Sequence, residues 1–200
     1  MPDVDRSAIP VPDELRGQRV LVRPYQVADA AALQEAVAQS RDHLRPWMTF
    51  ADAHQSVAET AAWIQGTISR WLLREEFAHG IWDAATGRYL GAVGLHPRDW
   101  DAGRFEIGYW LRADAEGHGY MREAALLVMQ MAADVLDANR LEIRCDARNH
   151  RSAAVAERLG FVREGALRNH ARATDGSLRT TMIYGLIPTD ESWPRRDTSR

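Results

Sequence analysis

Cysteine is almost absent from this chain of 200 residues. Cys145 stands alone, so no internal disulfide is possible and a reducing compartment is the default. Long apolar runs are missing as well. None approaches the ~20 residues of a membrane span, and the opening Met-Pro-Asp-Val-Asp-Arg has no apolar stretch behind a basic end, so no signal peptide is read there. A cytoplasmic protein is the expectation. Neither sign of charge dominates: Lys and Arg number 25 against 28 Asp and Glu, a net charge of -3, which gives no electrostatic case for nucleic acid or a membrane surface as partner. His43, His54, His79, His96, His118, His150 and His170 are scattered, without a His-x-x-x-His pair or a cysteine pair, so no metal site is expected. Internal repeats and low-complexity linkers are lacking too.

What is present suits one globular domain: 46% hydrophobic and 26% charged residues. Residues 1–15, with Pro2, Pro10 and Pro12, are expected to form a flexible arm, residues 16–187 the domain, and residues 188–200 a polar tail. Alternation predicts a strand over Arg19–Arg23, after which Asp29 can cap a helix carrying Leu33 and Val37. Ser56 and Glu59 form a capping-box signature ahead of a face of Ile64, Ile68, Trp71 and Leu72. A hairpin is expected from Ala78–Ala84 and Arg88–Leu95 about a glycine-containing turn. Arg104–Leu111 is the next strand. Ala125, Val128, Met129, Ala132, Val135 and Leu136 mark a long helix. Leu141–Cys145, reached only through that helix, is expected to lie parallel to its neighbour. Cys145 alternates with Leu141 and Ile143, so a buried thiol is the simpler reading than a nucleophile. A helix over Ser152–Leu159 stops at Gly160, and Phe161–Glu164 with Thr180–Leu186 look like a closing strand pair.

The most telling stretch runs from Phe105 to Leu126. A strand ends at Leu111, a polar turn leads to Gly117-His118-Gly119, and a helix follows at once. That arrangement offers free backbone N–H groups and a positive helix end to an anion, usually a phosphate. A nucleoside-triphosphate loop needs Lys-Ser/Thr after its last glycine, whereas Tyr120 and Met121 follow Gly119. A dinucleotide loop needs a third glycine where Arg122 stands, and a sheet that starts from this strand. Both patterns fail.

The form Glu116-Gly117-His118-Gly119-Tyr120-Met121 resembles the phosphate loop of the GCN5-related N-acetyltransferase (GNAT) superfamily. Asp42-His43-Leu44-Arg45-Pro46-Trp47, Glu106-Ile107-Gly108-Tyr109-Trp110-Leu111, Asn149-x-x-Ser152-Ala153, Leu159-Gly160-Phe161 and Glu164-Gly165-x-Leu167-Arg168 narrow the resemblance to its RimJ/RimL-type branch. The resemblance implies an α/β (α+β) fold: a mixed central sheet of about six to seven strands with flanking helices, the glycine turn lying between the fourth strand and the third helix. It implies acetyl-CoA as cosubstrate, placed by Trp110, Leu111 and Arg112 at the strand end. The backbone of Gly117, His118, Gly119, Tyr120 and Met121 would take the pyrophosphate. Glu106 matches a carboxylate used as general base, and Asn149 and Ser152 would stand near the thiol end. The helix tyrosine that many members use as general acid is replaced by Ala156. Trp47, in a loop after Arg-Pro, is a candidate wall of the substrate cleft. Glu116 departs from the family's Gln or Arg and must point away from the phosphates, with Arg112 or Arg122 offsetting its charge; Met121 departs at the final small position.

The implied reaction is acetyl transfer to a primary amine, either a protein N-terminal α-amine or a small-molecule amine. Deprotonating a lysine-type amine of pKa ~10.4 costs about 4–5 kcal/mol at pH 7, and an α-amine near ~7.8 about 1 kcal/mol, so sparse acid–base equipment favours the second. Two other readings stay open. One is a succinyl- or other acyl-CoA transferase using Arg45, Arg168 or Arg172 against the carboxylate; the other is a non-catalytic CoA-binding module. A homodimer is compatible with the family but marked by no residue stripe.

Overall fold

The computed structural model describes residues 6–195. One eight-stranded sheet runs through it, in the order β1-β2-β3-β4-β5-β6-β8-β7. Its strands are β1 (Leu15–Arg16), β2 (Val20–Pro24), β3 (Phe77–Asp83), β4 (Tyr89–Asp99), β5 (Arg104–Leu111), β6 (Arg140–Asp146), β7 (Val162–Arg172) and β8 (Leu178–Leu186). Four helices flank it: α1 (Ala30–Leu44), α2 (Val57–Leu72), α3 (Tyr120–Val135) and α4 (His150–Arg158). The sheet is antiparallel except at β5 and β6, whose connection through α3 makes them parallel. The short β1 raises the strand count by one over the expected fourth strand before the glycine turn.

Two apolar layers sandwich the sheet. On one face α3 presents Ala124, Ala125, Val128, Met129 and Ala132, all fully buried against Phe105, Ile107, Leu141 and Ile143. Alanines at these positions let the helix axis come close to the strands. On the other face α1 and α2 set Leu33, Val37 and Ile64 against Trp82, Tyr89 and Trp110. These two helices cover β2–β4 and the end of β5, and among the described residues neither makes a main contact with β6, β8 or β7 on that face. No helix among the described residues is long and apolar enough to cross a membrane.

Several expectations are corrected. From residue 6 on, the N-terminal arm is packed: Ile9 and Val11 lie on the core, and Arg74 donates to the Ile9 carbonyl at 2.7 Å. Trp193 of the polar tail also packs on the core. Asp29 sits at the N-cap position without capping. Its carboxylate instead takes two 2.8 Å bonds from Arg23 and one from the Gln26 N–H. Ser56 does cap α2, accepting from the Glu59 N–H at 3.2 Å. The closing pair is longer than expected, because β7 runs on to Arg172 and returns through a turn at Gly176 (φ 82°). Most of β7 is exposed and its pairing is bulged twice, so no alternation marks it in the sequence.

Candidate active site

The β5–β6 ladder is short. Cα partners exist only at Arg104↔Arg140, Phe105↔Leu141 and Glu106↔Glu142. Beyond these three rungs β5 continues along β4 to Leu111 while β6 continues along β8 to Asp146. The strands therefore diverge into a slot, and Glu106 marks its closed end. Backbone groups alternate sides along a strand. The Arg112 N–H donates to the Leu90 carbonyl, so the backbone groups of Tyr109 and Leu111 face the slot, without ladder partners across it.

At the open end of β5 the chain makes a single 3-10 turn (Ala113–Ala115) and enters the glycines. Gly117 and Gly119 hold φ of 79° and 80°, the left-handed region that costs any other residue energy. A Cβ on Gly117 would meet nothing within 4 Å, so the turn's outer side is open. Gly119 is the N-cap of α3 and no side chain caps that helix. The first intrahelical bond is from the Glu123 N–H to the Gly119 carbonyl, leaving the N–H groups of Tyr120, Met121 and Arg122 at the positive end of a 16-residue helix. Arg19, just ahead of β2, braces the turn: it donates to the His118 carbonyl at 2.7 Å and pairs with Glu123 at 2.9 Å.

Glu116 has other partners than expected. It pairs with His43 at 2.9 Å and with Arg151 at 3.1 Å. Arg112 is unavailable to it, being buried and committed to Asp114, Gln39 and the Tyr89 carbonyl.

The side of the slot facing α4 carries hydroxyls. Asn149 caps α4, its Oδ1 accepting from the Ser152 N–H at 3.0 Å. Tyr109 reaches across from β5, with its hydroxyl 3.1 Å from both the Ser152 Oγ and the Ser152 carbonyl. Burial raises the Tyr109 pKa against the opposing effect of that hydrogen bond. Cys145 stands beside them, and burial likewise pushes its thiol up although Ser152 bonds to it. Ala156, where the family's tyrosine would be, is fully buried in the core.

Phe105 and Ile107 point into the α3 core, so Glu106 points to the opposite face. There it borders a cavity of about 470 Å³ and pairs with Arg98 at 3.0 Å and with Arg144 at 3.8 Å. Beneath it, buried Glu142 bonds to Arg140 and Arg144. Desolvation works against its charge, but the two guanidiniums outweigh this and hold its pKa below the usual carboxylate value.

The model of the acetyltransferase (GNAT) domain matches residues 19–162. The chain belongs to the GNAT acetyltransferase family. A relative in Bacillus subtilis (strain 168), YdaF, named provisionally as a ribosomal N-acetyltransferase, is 30% identical over 172 residues, 85% of this acetyltransferase and 89% of its own length. Among solved structures, RimL, the ribosomal L7/L12 α-N-protein acetyltransferase in complex with coenzyme A through a CoA–cysteine disulfide, superposes with a TM-score of 0.81 at 22% identity. The superposition covers 87% of this acetyltransferase and 97% of RimL. The microcin C7 self-immunity acetyltransferase MccE, in complex with acetyl-CoA and AMP, gives 0.79 at 21% identity, covering 86% and 93%. At such identities these two likenesses speak for the fold.

In this acetyltransferase the expected site residues divide by what their side chains do. The side chains of Trp110, Arg112 and Met121 are buried, and the backbone of Trp110 and Arg112 is turned to β4, so of the three only Met121 offers a free N–H, at the start of α3. His118 is exposed and stacks on Tyr120, whose hydroxyl bonds Asp83 at 3.3 Å. Trp47 lies half-buried in the turn after α1, its N–H on the Leu44 carbonyl. That end of α1 carries His43 and so adjoins the glycine turn through Glu116. Arg151, His43 and the arginines around Glu106 were not singled out in the sequence as partners of these two carboxylates. Nothing local in the sequence pairs them; only the sheet order does.

Proposed function

We propose that this acetyltransferase moves an acetyl group from acetyl-CoA to a primary amine, on a protein N-terminus or a small molecule, by direct attack. The observation that carries the proposal is the slot left where the β5–β6 ladder stops, followed past the open end of β5 by the uncapped N-terminus of α3. A cofactor with a diphosphate on a narrow amide-bearing arm needs both features, in this order. The N–H groups at the start of α3 and the open side of Gly117 suit the diphosphate. The free backbone of Tyr109 and Leu111 suits an extended arm that hydrogen-bonds as a strand would. The acetyl-CoA in MccE and the CoA in RimL agree with a donor of this kind.

Acetyl-CoA supplies an activated thioester and a thiolate leaving group. In the proposed mechanism, the residues lining the slot position the two reactants, which is itself a large part of such a rate enhancement. Glu106, at the slot's closed end, takes the amine's proton through a water molecule on the open face. The Tyr109 and Ser152 hydroxyls hold a proton on the slot's other wall, in place of the tyrosine replaced by Ala156. The succinyl reading finds less support. Arg45 is engaged by Asp52 and Asp42, and Arg172 donates to the Gly176 carbonyl, which leaves Arg168 of β7 as the one candidate of the three still open to a donor's carboxylate.

Titration calorimetry with CoA, followed by acetylation of a panel of N-terminal peptides and small amines, tests the proposal. Glu106→Gln is expected to keep CoA affinity and lower kcat on the order of 10²–10⁴-fold. A wild-type rate for this variant across pH 6–9 removes Glu106 as base. CoA binding without acetylation of any amine supports the binding-module reading instead.

A further inference from the structure

On the sheet face away from α3, the cavity bordered by Glu106 is lined by four arginines: Arg98 from β4, Arg104 from β5, Arg144 from β6 and Arg179 from β8. One carboxylate, Glu106, faces them across the cavity, and Glu142 lies buried beneath. This concentration of positive charge stands in a chain whose net charge is -3. Arg98, Arg104 and Arg144 are each shared with Glu106 or Glu142. Arg179 is different. It is half-buried, its Nε is shielded from water, and its side chain makes no hydrogen bond or salt bridge among the described residues, Asp146 acting on it only through longer-range charge. A shielded guanidinium nitrogen without an acceptor is costly, and an anion entering the cavity would relieve that cost. His170 and Thr181, bonded to each other at 3.1 Å, close the same wall. His170 also lines a second, open hollow of about 730 Å³ with Leu167, Arg168 and Asn169 of β7.

We infer that the acceptor is a primary amine carrying a carboxylate or phosphate close to the reacting nitrogen, with Arg179 and Arg144 binding that anion while Glu106 receives the amine. The inference rests on the proposed acetyl transfer at Glu106. Burying an anion against guanidinium forks gives strong charge-assisted bonds, and the sequence position of the acid group then becomes the specificity element. Opposite charges at adjoining points, Glu106 for the ammonium and Arg179 for the acid, also orient the acceptor end to end.

The test uses the full chain with acetyl-CoA and three N-terminal peptides that differ only at the second and third positions: acidic, neutral and basic. Wild type is expected to prefer the acidic peptide in kcat/KM over the neutral one by about 10-fold or more, with the preference shrinking as salt is raised. Arg179→Gln should erase about 10-fold of that ratio, mainly through KM, and Arg179→Lys should restore part of it. A small amine bearing a phosphate, run in parallel, separates a phosphate from a carboxylate as the favoured acid. Equal use of acidic and neutral peptides by wild type overturns the inference, as does an unchanged ratio in Arg179→Gln. Should Arg179→Gln instead lower the use of succinyl-CoA relative to acetyl-CoA with one neutral amine, the cavity serves the donor and the inference falls. CoA binding measured on the same samples separates these outcomes from failure of the acetyl-transfer reading, which would show as absent CoA binding or as no transfer to any peptide.

Discussion

A methyl group added at Gly117 separates the energetics of the turn from its use. Gly117→Ala places a side chain at φ 79°. The left-handed conformation costs an L-residue about 1–2 kcal/mol, and the stiffer unfolded chain returns about 0.4–1 kcal/mol. No neighbour lies within 4 Å of the added Cβ, so steric cost in the free protein is nil. The net destabilisation is about 1 kcal/mol, a fall in Tm of roughly 2–4 °C for a chain of this length. Ligand binding should suffer more, because the methyl stands on the open side where a diphosphate would approach the backbone. A CoA Kd raised at least about 10-fold, or about 1.4 kcal/mol, is expected. Gly117→Asn sharpens the test, since asparagine tolerates this conformation: it should recover Tm and still bind CoA weakly. Gly119→Ala is the contrasting case, because its Cβ would also lie 3.2 Å from the Arg19 guanidinium that braces the turn. Differential scanning fluorimetry and calorimetry on the same samples give both numbers. Wild-type CoA affinity in Gly117→Ala, with the expected loss of Tm, would refute the placement of the diphosphate at this turn.

Two further outcomes follow from buried groups. His79 is fully buried, edge-on to Trp71, with neither ring nitrogen in a well-formed hydrogen bond. Burial lowers its pKa from 6.5 to about 4, so the unfolded state binds the extra proton. Its contribution to stability is therefore complete above pH ~6.5 and lost as pH falls toward ~4, on the order of 3 kcal/mol in all. Urea midpoints measured between pH 7 and 4.5 should fall less steeply in His79→Gln; parallel slopes would contradict this. Tyr109→Phe deletes a hydroxyl whose removal costs about 1 kcal/mol and is expected to lower kcat several-fold with CoA affinity retained. A wild-type kcat would leave the thiolate's proton to another donor.

The parts legible in the sequence were those with local causes. The spacing of Val128, Met129 and Ala132 announces α3, because one helix face must be apolar to meet the sheet. Gly117 and Gly119 announce the turn, because few other residues adopt its torsions. Asn149 and Ser152 sit where a cap must be. What escaped is long-range. Glu116 is satisfied by His43 and Arg151, from two other helices, so no window around it names its partners. Asp29 abandons its cap for Arg23, a choice made by the adjoining strand. Most of β7 is exposed and lacks the alternation that a buried face imposes. The end of the β5–β6 ladder is a property of register, to which Glu106 and Glu142 contribute no pattern of their own.

Three rungs are few for two strands in the middle of a sheet. Above them the protein keeps an edge in its interior, with backbone donors and acceptors of the kind that other proteins hide or pair. A donor molecule lying in that gap would act as a temporary strand, and its departure would reopen the seam. Turnover would then be coupled to mending and parting the sheet. By mass action, a ligand at 100 times its Kd adds about 2.7 kcal/mol to stability. Amide exchange in the outer halves of β5 and β6 should report the seam closing, while β3 and β4 stay silent.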